Sequence, residues 1–541
     1  MSGSSKVISR RRFVVTSAKL GAALAAPSLA GISASALTAS DNRVPLSADI
    51  TSLNASQLSI AIKQRQLSCV EVMQAYLQRI ERYNGVYNAI VAMPEHDTLI
   101  AAANEADKAL DKGDYWGWMH GMPHAVKDLS NVRGFICSKG SPIFANQLST
   151  TDSIFVQRIR AQGAIFIGKT NVPEFGLGSQ SYNPVYGTTR NAYNPALTAG
   201  GSSGGAACAL AAQLTPVADG SDMMGSLRNP AGYNNVIGFR PSQGRVPHNG
   251  SDLFFQQLGY EGAMGRCVED TIRLLGTMAG YDARTPMTLR DRLADFRPAA
   301  RSEIKRYRVG WLGDYSGYLP TESGLLDLCE GALGELSQRG AVVEQCAPDY
   351  DMARLWQTWL TMRHWTMCHA FKPLYDKPEL RKLLKPEAIW EYEGGLHLSG
   401  LDISSAAVAR SEWYLALHKL FESYDVLVLP SAQVFPFAAE THWPKSINGK
   451  SMDTYHRWME VTIGGTLSGC PVVNVPAGFD AQGRPMGLQF IGPMGQDSKV
   501  LEFALAYEAG IGHLAKKPAL IADKALIGLA GQVPGLMTEE R

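Results

Sequence analysis

Residues 200–212 read Gly200-Gly201-Ser202-Ser203-Gly204-Gly205-Ala206-Ala207-Cys208-Ala209-Leu210-Ala211-Ala212. Two serines sit between glycine pairs, ahead of a run of small residues that predicts a helix. The stretch lacks the Gly-Lys-Ser/Thr of a phosphate-binding P-loop and has no Gly-x-Gly-x-x-Gly dinucleotide fingerprint. A flexible Gly/Ser linker does not suit the apolar sequence on either side. What remains is a tight loop displaying serines at a helix N-terminus, where free N–H groups favour developing negative charge.

Outward from this loop, short apolar runs alternate with helical patterns. Pro123 to Val126, Ala164 to Ile167 and Leu214 to Val217 predict strands, with helices over Ser153 to Gln162 and Gly204 to Gln213. Such alternation predicts an α/β layered fold with a mostly parallel or mixed central sheet. Upstream, Leu53, Leu58, Ile62, Val70, Met73, Leu77 and Ile80 recur at helical spacing, with Ser68 as an N-cap. Downstream, strands are expected over 306–312 and 341–345 around a helix at 321–338. Further strands are expected over Val426 to Leu429 and Val472 to Val475, and a helix from Ser498 to about Glu508.

Between about 350 and 420 the texture changes. Trp356, Trp359, Trp365, Phe371, Tyr375, Trp390, Tyr392, Trp413 and Tyr414 crowd a mostly helical stretch. It reads as a packed helical subdomain, and also as a cap whose aromatics wall a substrate cleft; the two are compatible.

Composition narrows the function. The 541 residues carry 51 Lys plus Arg against 50 Asp plus Glu, a net +1, without the basic excess of a general nucleic-acid or acidic-membrane binder. At 45% hydrophobic and 19% charged, the chain can bury a large core. Its 53 glycines are about a tenth of the chain, above the usual ~7%, which points to tight loops. The 8 cysteines are scattered without Cys-x-x-Cys, and the 11 histidines give no His-Glu-x-x-His, so no metal site is expected.

The N-terminus reads as an address. Ser9-Arg10-Arg11-Arg12-Phe13 is a twin-arginine stretch, followed by a mildly apolar run from Val14 to Leu29 and by Ala34-Ser35-Ala36, a small-x-small cleavage site. The run is too short and too rich in Ala and Ser to span a bilayer, which takes about 20 helical residues. A Tat-type signal peptide over 1–36 is expected, with the Tat translocon as export partner, a periplasmic or secreted mature protein, and no stable membrane insertion. Lys6, Arg10, Arg11, Arg12 and Lys19 leave with it, so the mature chain holds 46 basic against 50 acidic residues, a net −4.

Two further blocks complete the chemistry. Asp219-Gly220-Ser221-Asp222-Met223-Met224-Gly225-Ser226-Leu227-Arg228-Asn229-Pro230 follows the serine loop, and Gly121-Met122-Pro123-His124-Ala125-Val126-Lys127-Asp128 places a lysine at the end of an apolar strand. With Gly168-Lys169-Thr170-Asn171, Gly238 to Val246, Tyr424 to Leu427 and Gly469 to Phe479, these blocks resemble the amidase signature family. The resemblance covers roughly 50–281 and 421–509 and is loose between them. A lone Gly-Gly-Ser-Ser-Gly-Gly would be weak; the ordered set at the expected separations is specific.

The resemblance implies a large mixed central β-sheet flanked by helices on both faces, with the aromatic-rich helical insertion at about 350–420. It implies one catalytic domain over 37–541 and no cofactor. It places a Ser–Ser–Lys triad on this chain, with Ser226 as nucleophile, Ser202 as bridging serine and Lys127 as base, and a cis bond between Gly201 and Ser202. Backbone N–H groups of Met223, Met224, Gly225 and Ser226 would form the oxyanion hole. The logic is coherent: a serine hydroxyl needs a neighbouring base, and a lysine serves only when desolvation lowers its pKa.

Met224 departs from the commonest pattern, which has glycine there. Either a required positive φ strains it, or its side chain narrows the pocket; the second reading is preferred. Asp222 and Arg228 are expected to brace the loop, His124 to be packed or solvent-facing, and Ser203 to cap the helix. The function expected is hydrolysis of a small carboxylic amide to acid plus ammonia or amine. The alternatives are an esterase or carbamate hydrolase, a non-catalytic binding protein, or a glutamine-dependent transamidase subunit. Assembly as a homodimer is left open.

Overall fold

Ser68 begins the fold as the spacing predicts. Its side chain accepts from Glu71 N–H while the Glu71 carboxylate accepts from Ser68 N–H, a capping box that starts a 19-residue helix. The computed structural model describes residues 43–522 except 249, 251, 256–257 and 292–302. The expected signal peptide and its cleavage site lie outside the described residues.

The elements run α1 (Ala55–Lys63), α2 (Cys69–Tyr87), β1 (Ile90–Val91), α3 (His96–Asp111), β2 (Pro123–Lys127), α4 (Ile154–Ala161), β3 (Ile165–Thr170), β4 (Tyr182–Asn183), β5 (Gly187–Thr188), α5 (Gly204–Ala211), β6 (Val217–Asp222), α6 (Arg228–Tyr233), β7 (Ile237–Arg240), β8 (Tyr260–Gly265) and α7 (Val268–Met278). Then come β9 (Arg308–Trp311), α8 (Leu325–Gln338), β10 (Val342–Gln345), α9 (Met352–Tyr375), α10 (Pro378–Arg381), α11 (Pro386–Leu396) and α12 (Gly400–Phe421). The chain closes with β11 (Val426–Pro430), β12 (Ser446–Ile447), β13 (Lys450–Ser451), α13 (Ile463–Ser468), β14 (Val472–Phe479), β15 (Pro485–Ile491), α14 (Asp497–Glu508) and α15 (Ala519–Ala522).

An eight-stranded mixed sheet, in the order β10-β9-β11-β15-β14-β7-β8-β6, forms the centre. β10, β9 and β11 pair in parallel, and the rest pair antiparallel. Every position of β7, β11 and β15 is buried, odd and even alike. Strands of that kind are covered on both faces, and they read as continuous apolar runs rather than alternating ones.

Lys127 stands outside this sheet. Its strand β2 pairs in parallel with β3 in a separate three-stranded sheet of order β1-β3-β2. The two sheets are stitched by a side chain: Asp219 Oδ2, on edge strand β6, accepts the Lys127 backbone N–H at 3.1 Å. α5 fits against this junction because Gly204–Ala211 is small and buried on all sides. A Cβ at Gly205 would lie 2.3 Å from Asn171 N, so only glycine allows this approach to the end of β3.

The strand expected over Leu214 to Val217 instead runs from Val217 to Asp222, paired antiparallel with β8. Asp219, Ser221 and Asp222 break the apolar pattern because their side chains serve hydrogen bonds at the site. All 8 cysteines are free. Among the described residues, no helix is long and apolar enough to cross a membrane.

Candidate active site

Lys127 ends β2 fully buried, and its ammonium nitrogen is ringed by oxygen. Nζ donates to Ser202 Oγ at 2.9 Å, Ser203 Oγ at 2.8 Å, Ser221 Oγ at 3.0 Å and Ser221 O at 3.1 Å. Burial drives the lysine pKa down to about 7, against the opposing pull of Asp222, Asp219 and Glu261. A neutral amine has two N–H groups and a lone pair, so among these oxygens one hydroxyl can turn and donate to the nitrogen. That is the polarity a proton acceptor needs.

The serine loop precedes α5, and the Gly201–Ser202 peptide is cis. Ser203 holds the N-cap position of α5 but makes no side-chain cap bond. This corrects its expected role as a capping residue. Its hydroxyl lies instead against Lys127 Nζ and donates to Ser221 O at 3.3 Å. The lysine draws the oxygen away from the helix end.

Ser226 lies on the loop from β6 to α6, 8% exposed. Its carbonyl accepts the Ser203 N–H at 3.3 Å, tying this loop to the serine loop. Asp222 organises the turn: Oδ1 accepts Gly225 N–H at 2.9 Å, Oδ2 accepts Leu227 N–H at 3.0 Å, and both oxygens take the Arg228 guanidinium at 2.9 Å. Arg240 adds a further bond to the Asp222 carbonyl. Burial alone would raise this carboxyl, but the Arg228 charge, with Arg240 behind it, holds it well below the usual range. Arg228 also reaches Thr462 O at 2.8 Å and Gln489 Oε1 at 2.6 Å, so Asp222 and Arg228 brace the loop as expected.

Backbone geometry resolves the departure at Met224. The positive φ, +84°, falls on Gly225, where a Cβ would stand 2.7 Å from Thr462 Cγ2. Met224 has no positive φ; its side chain, with that of Met223, lines the cavity beside Ser226. Of the amides expected to receive an oxyanion, Gly225 N–H is therefore already engaged, by Asp222. Among the described residues, nothing accepts from the N–H groups of Met223, Met224 or Ser226.

A cavity of about 200 Å³ contains Ser202, Ser221 and Ser226 in its wall, with Leu129, Phe175, Leu177, Met223, Met224 and Tyr260 as apolar surface. The helical segment contributes Arg363 and Met367, and the loop before α13 contributes Tyr455 and His456. None of the nine aromatics that mark the segment in the sequence lines this cavity. Trp356, Trp359 and Trp413 are fully buried packing, because a 24-residue helix and its neighbours must bury their own apolar faces. The packed-subdomain reading fits these aromatics, and the expectation that they wall the cleft is corrected: the segment reaches this cavity through Arg363 and Met367 instead.

Two residues escaped the sequence reading. Ser221 supplies two of the oxygens around Lys127, and Asp219 accepts both Lys127 N–H and His124 Nε2, the latter at 3.0 Å. His124 is thus buried and paired, and not a second base. Both Asp219 and Ser221 stand in the block Asp219-Gly220-Ser221-Asp222; alternate positions of one strand face one side, which is the signal that could have found them.

The Amidase family model matches residues 71–501. The chain is 30% identical to an acylamidase of Rhodococcus erythropolis, over 86% of this chain and 97% of that one. It is likewise 30% identical to a glutamyl-tRNA(Gln) amidotransferase subunit of Methylococcus capsulatus, over 86% and 99%. Its structure superposes on that of a bacterial aryl acylamidase of the amidase signature enzymes with a TM-score of 0.80, at 26% identity, over 89% of this chain and 99% of that one.

Proposed function

The chain belongs to the amidase signature family and is an amide hydrolase, and from that premise we propose that it works through an acyl-enzyme on Ser226. One observation carries the assignment: a buried lysine, shifted to a pKa of about 7, lies 2.9 Å from the hydroxyl of Ser202, in the same cavity wall as Ser226.

Neutral Lys127 takes the Ser202 proton as Ser202 takes the proton of Ser226. The Ser226 oxygen bonds to the amide carbon, and the carbonyl oxygen becomes an oxyanion. The free N–H groups of Met223, Met224 and Ser226 meet it; one such donor is worth a factor of about 10² to 10³ in rate. As the C–N bond breaks, the proton returns from Lys127 through Ser202 to the leaving nitrogen, and ammonia or amine departs. Water then attacks the ester, giving up a proton along the same path, and the carboxylic acid leaves with Ser226 restored.

The substrate class is a small carboxylic amide, which the acylamidase relatives support. Steady-state hydrolysis of aliphatic, aryl and amino-acid amides tests it, with Ser226→Ala as control. Activity surviving in that variant would defeat the assignment, and a strong preference for matched esters would defeat the amide label.

The amidotransferase relatives favour a second reading, in which ammonia released from glutamine passes to a partner protein. Co-purification of such partners from the native source would support it. The twin-arginine segment supports export to the periplasm, where no charged tRNA awaits. N-terminal sequencing of the mature protein from the periplasmic fraction tests this, with a start near residue 37 expected.

A further inference from the structure

The cavity wall carries a carboxylate that the hydrolytic chemistry does not use. Glu261 stands near the start of β8, and the antiparallel register sets it directly opposite Ser221 on β6. Directly opposed residues project to the same face of a sheet. Glu261 therefore shares the face from which Ser221 Oγ meets Lys127 Nζ at 3.0 Å, and both residues border the cavity. Its charge is felt at Lys127, where it opposes the effect of burial.

Access and pairing set Glu261 apart from the other charged groups of the lining. Its side chain is 13% accessible, against 0% for Asp222 and 6% for Arg363. Those two are also matched by permanent charges, Asp222 by Arg228 and Arg240, and Arg363 by Glu391. Among the described residues, no lysine or arginine pairs with Glu261. Its partner is His248, another residue of the lining, whose Nδ1 lies 3.1 Å from each carboxylate oxygen. An ionised carboxylate offers about four lone-pair sites, and one ring nitrogen occupies two of them at most, whatever the ring's protonation. Acceptor sites therefore remain on a partly accessible carboxylate, and a cationic donor brought by a ligand would gain a charge-assisted hydrogen bond there.

Taking the cavity as the amide site, an inference that rests on the hydrolase reading above, we propose that the enzyme favours amides carrying an ammonium group, held by the Glu261 carboxylate. Glu261 is then a specificity residue that contacts substrate away from the reacting carbonyl.

The test uses two matched series of anilides. One varies the acyl part, as propananilides with ammonium, methyl or carboxylate at carbon 3; the other varies the amine part, as acetanilides with para aminomethyl, ethyl or carboxymethyl. In at least one series the wild type should favour the ammonium member over its alkyl match by about tenfold or more in kcat/KM. Glu261→Gln should reduce that ratio by about tenfold, mainly through KM, the size expected of one hydrogen bond to a charged group. Because the ratio is taken within one enzyme, any change at Lys127 cancels. Glu261→Asp, which keeps the charge, should restore part of the ratio. A ratio unchanged in Glu261→Gln shows that the carboxylate only anchors His248, and overturns the inference while leaving amide hydrolysis intact. A wild type that prefers the alkyl or carboxylate member in both series overturns it equally. A wild type that turns over no amide overturns the hydrolase reading and the inference with it. Should Glu261→Gln fail to fold, the wild-type series still decides.

Discussion

Lys127 Nζ and Ser202 Oγ lie 2.9 Å apart, both buried, at the junction of two β-sheets. Because burial brings the lysine to a pKa of about 7, its base form gains population as pH rises through that value. The predicted kcat/KM profile climbs with a slope near one below pH 7 and levels above it. Lys127→Arg, which stays protonated, should lose about 10³-fold or more in kcat despite its similar length. A flat profile between pH 5.5 and 9 would remove Lys127 from the base role.

Ser203 and Ser221 both accept from Lys127, and neither is the nucleophile or the bridge proposed above. Replacing either with alanine withdraws an acceptor that favours the ammonium, so the acidic limb of the profile should move to lower pH. Loss of positioning should lower kcat, by up to about 10²-fold, more than it raises KM. Measuring kcat and KM across pH for both variants checks this.

Asp222 is matched by two buried arginines, so Asp222→Asn leaves their charges uncompensated. Unfolding in urea should show a loss of about 3–5 kcal/mol. The folded carboxyl sits below its unfolded value of about 3.8. Its contribution is therefore present above pH 4 and fades as pH falls further, and the variant should show a shallower acid destabilisation.

Gly225→Ala meets two obstacles, a φ of +84° and the Thr462 methyl 2.7 Å from the new Cβ. A loss of about 1–3 kcal/mol is expected, with a fall in kcat of about 10²-fold as Ser226 shifts. Adding Thr462→Ser removes the methyl but not the φ, so thermal melts should show partial recovery only.

Much of this is legible in the chain's local pattern. The Ser68 cap, the helix of small residues after Gly205, and Lys127 at the end of its strand each follow from it. What local pattern does not reveal is pairing between distant segments. Asp219 stitches β2 to β6 across 92 positions, and Ser221 reaches Lys127 across 94. Ser203 reads as a cap because capping is the local use of a serine there, and a lysine 76 positions away overrides it. The tryptophans of the insertion advertise a ligand wall, yet a long helix needs them for packing, and the cavity receives Arg363 and Met367 from the same helix.

The nucleophile decides the account. Incubating the folded protein with a fluorophosphonate and mapping the adduct by peptide mass spectrometry reads it directly. Labelling should fall on Ser226, be lost in Ser226→Ala, and slow markedly in Lys127→Ala. An adduct on another serine, or none on wild-type protein that still hydrolyses amides, would contradict the Ser226–Ser202–Lys127 mechanism.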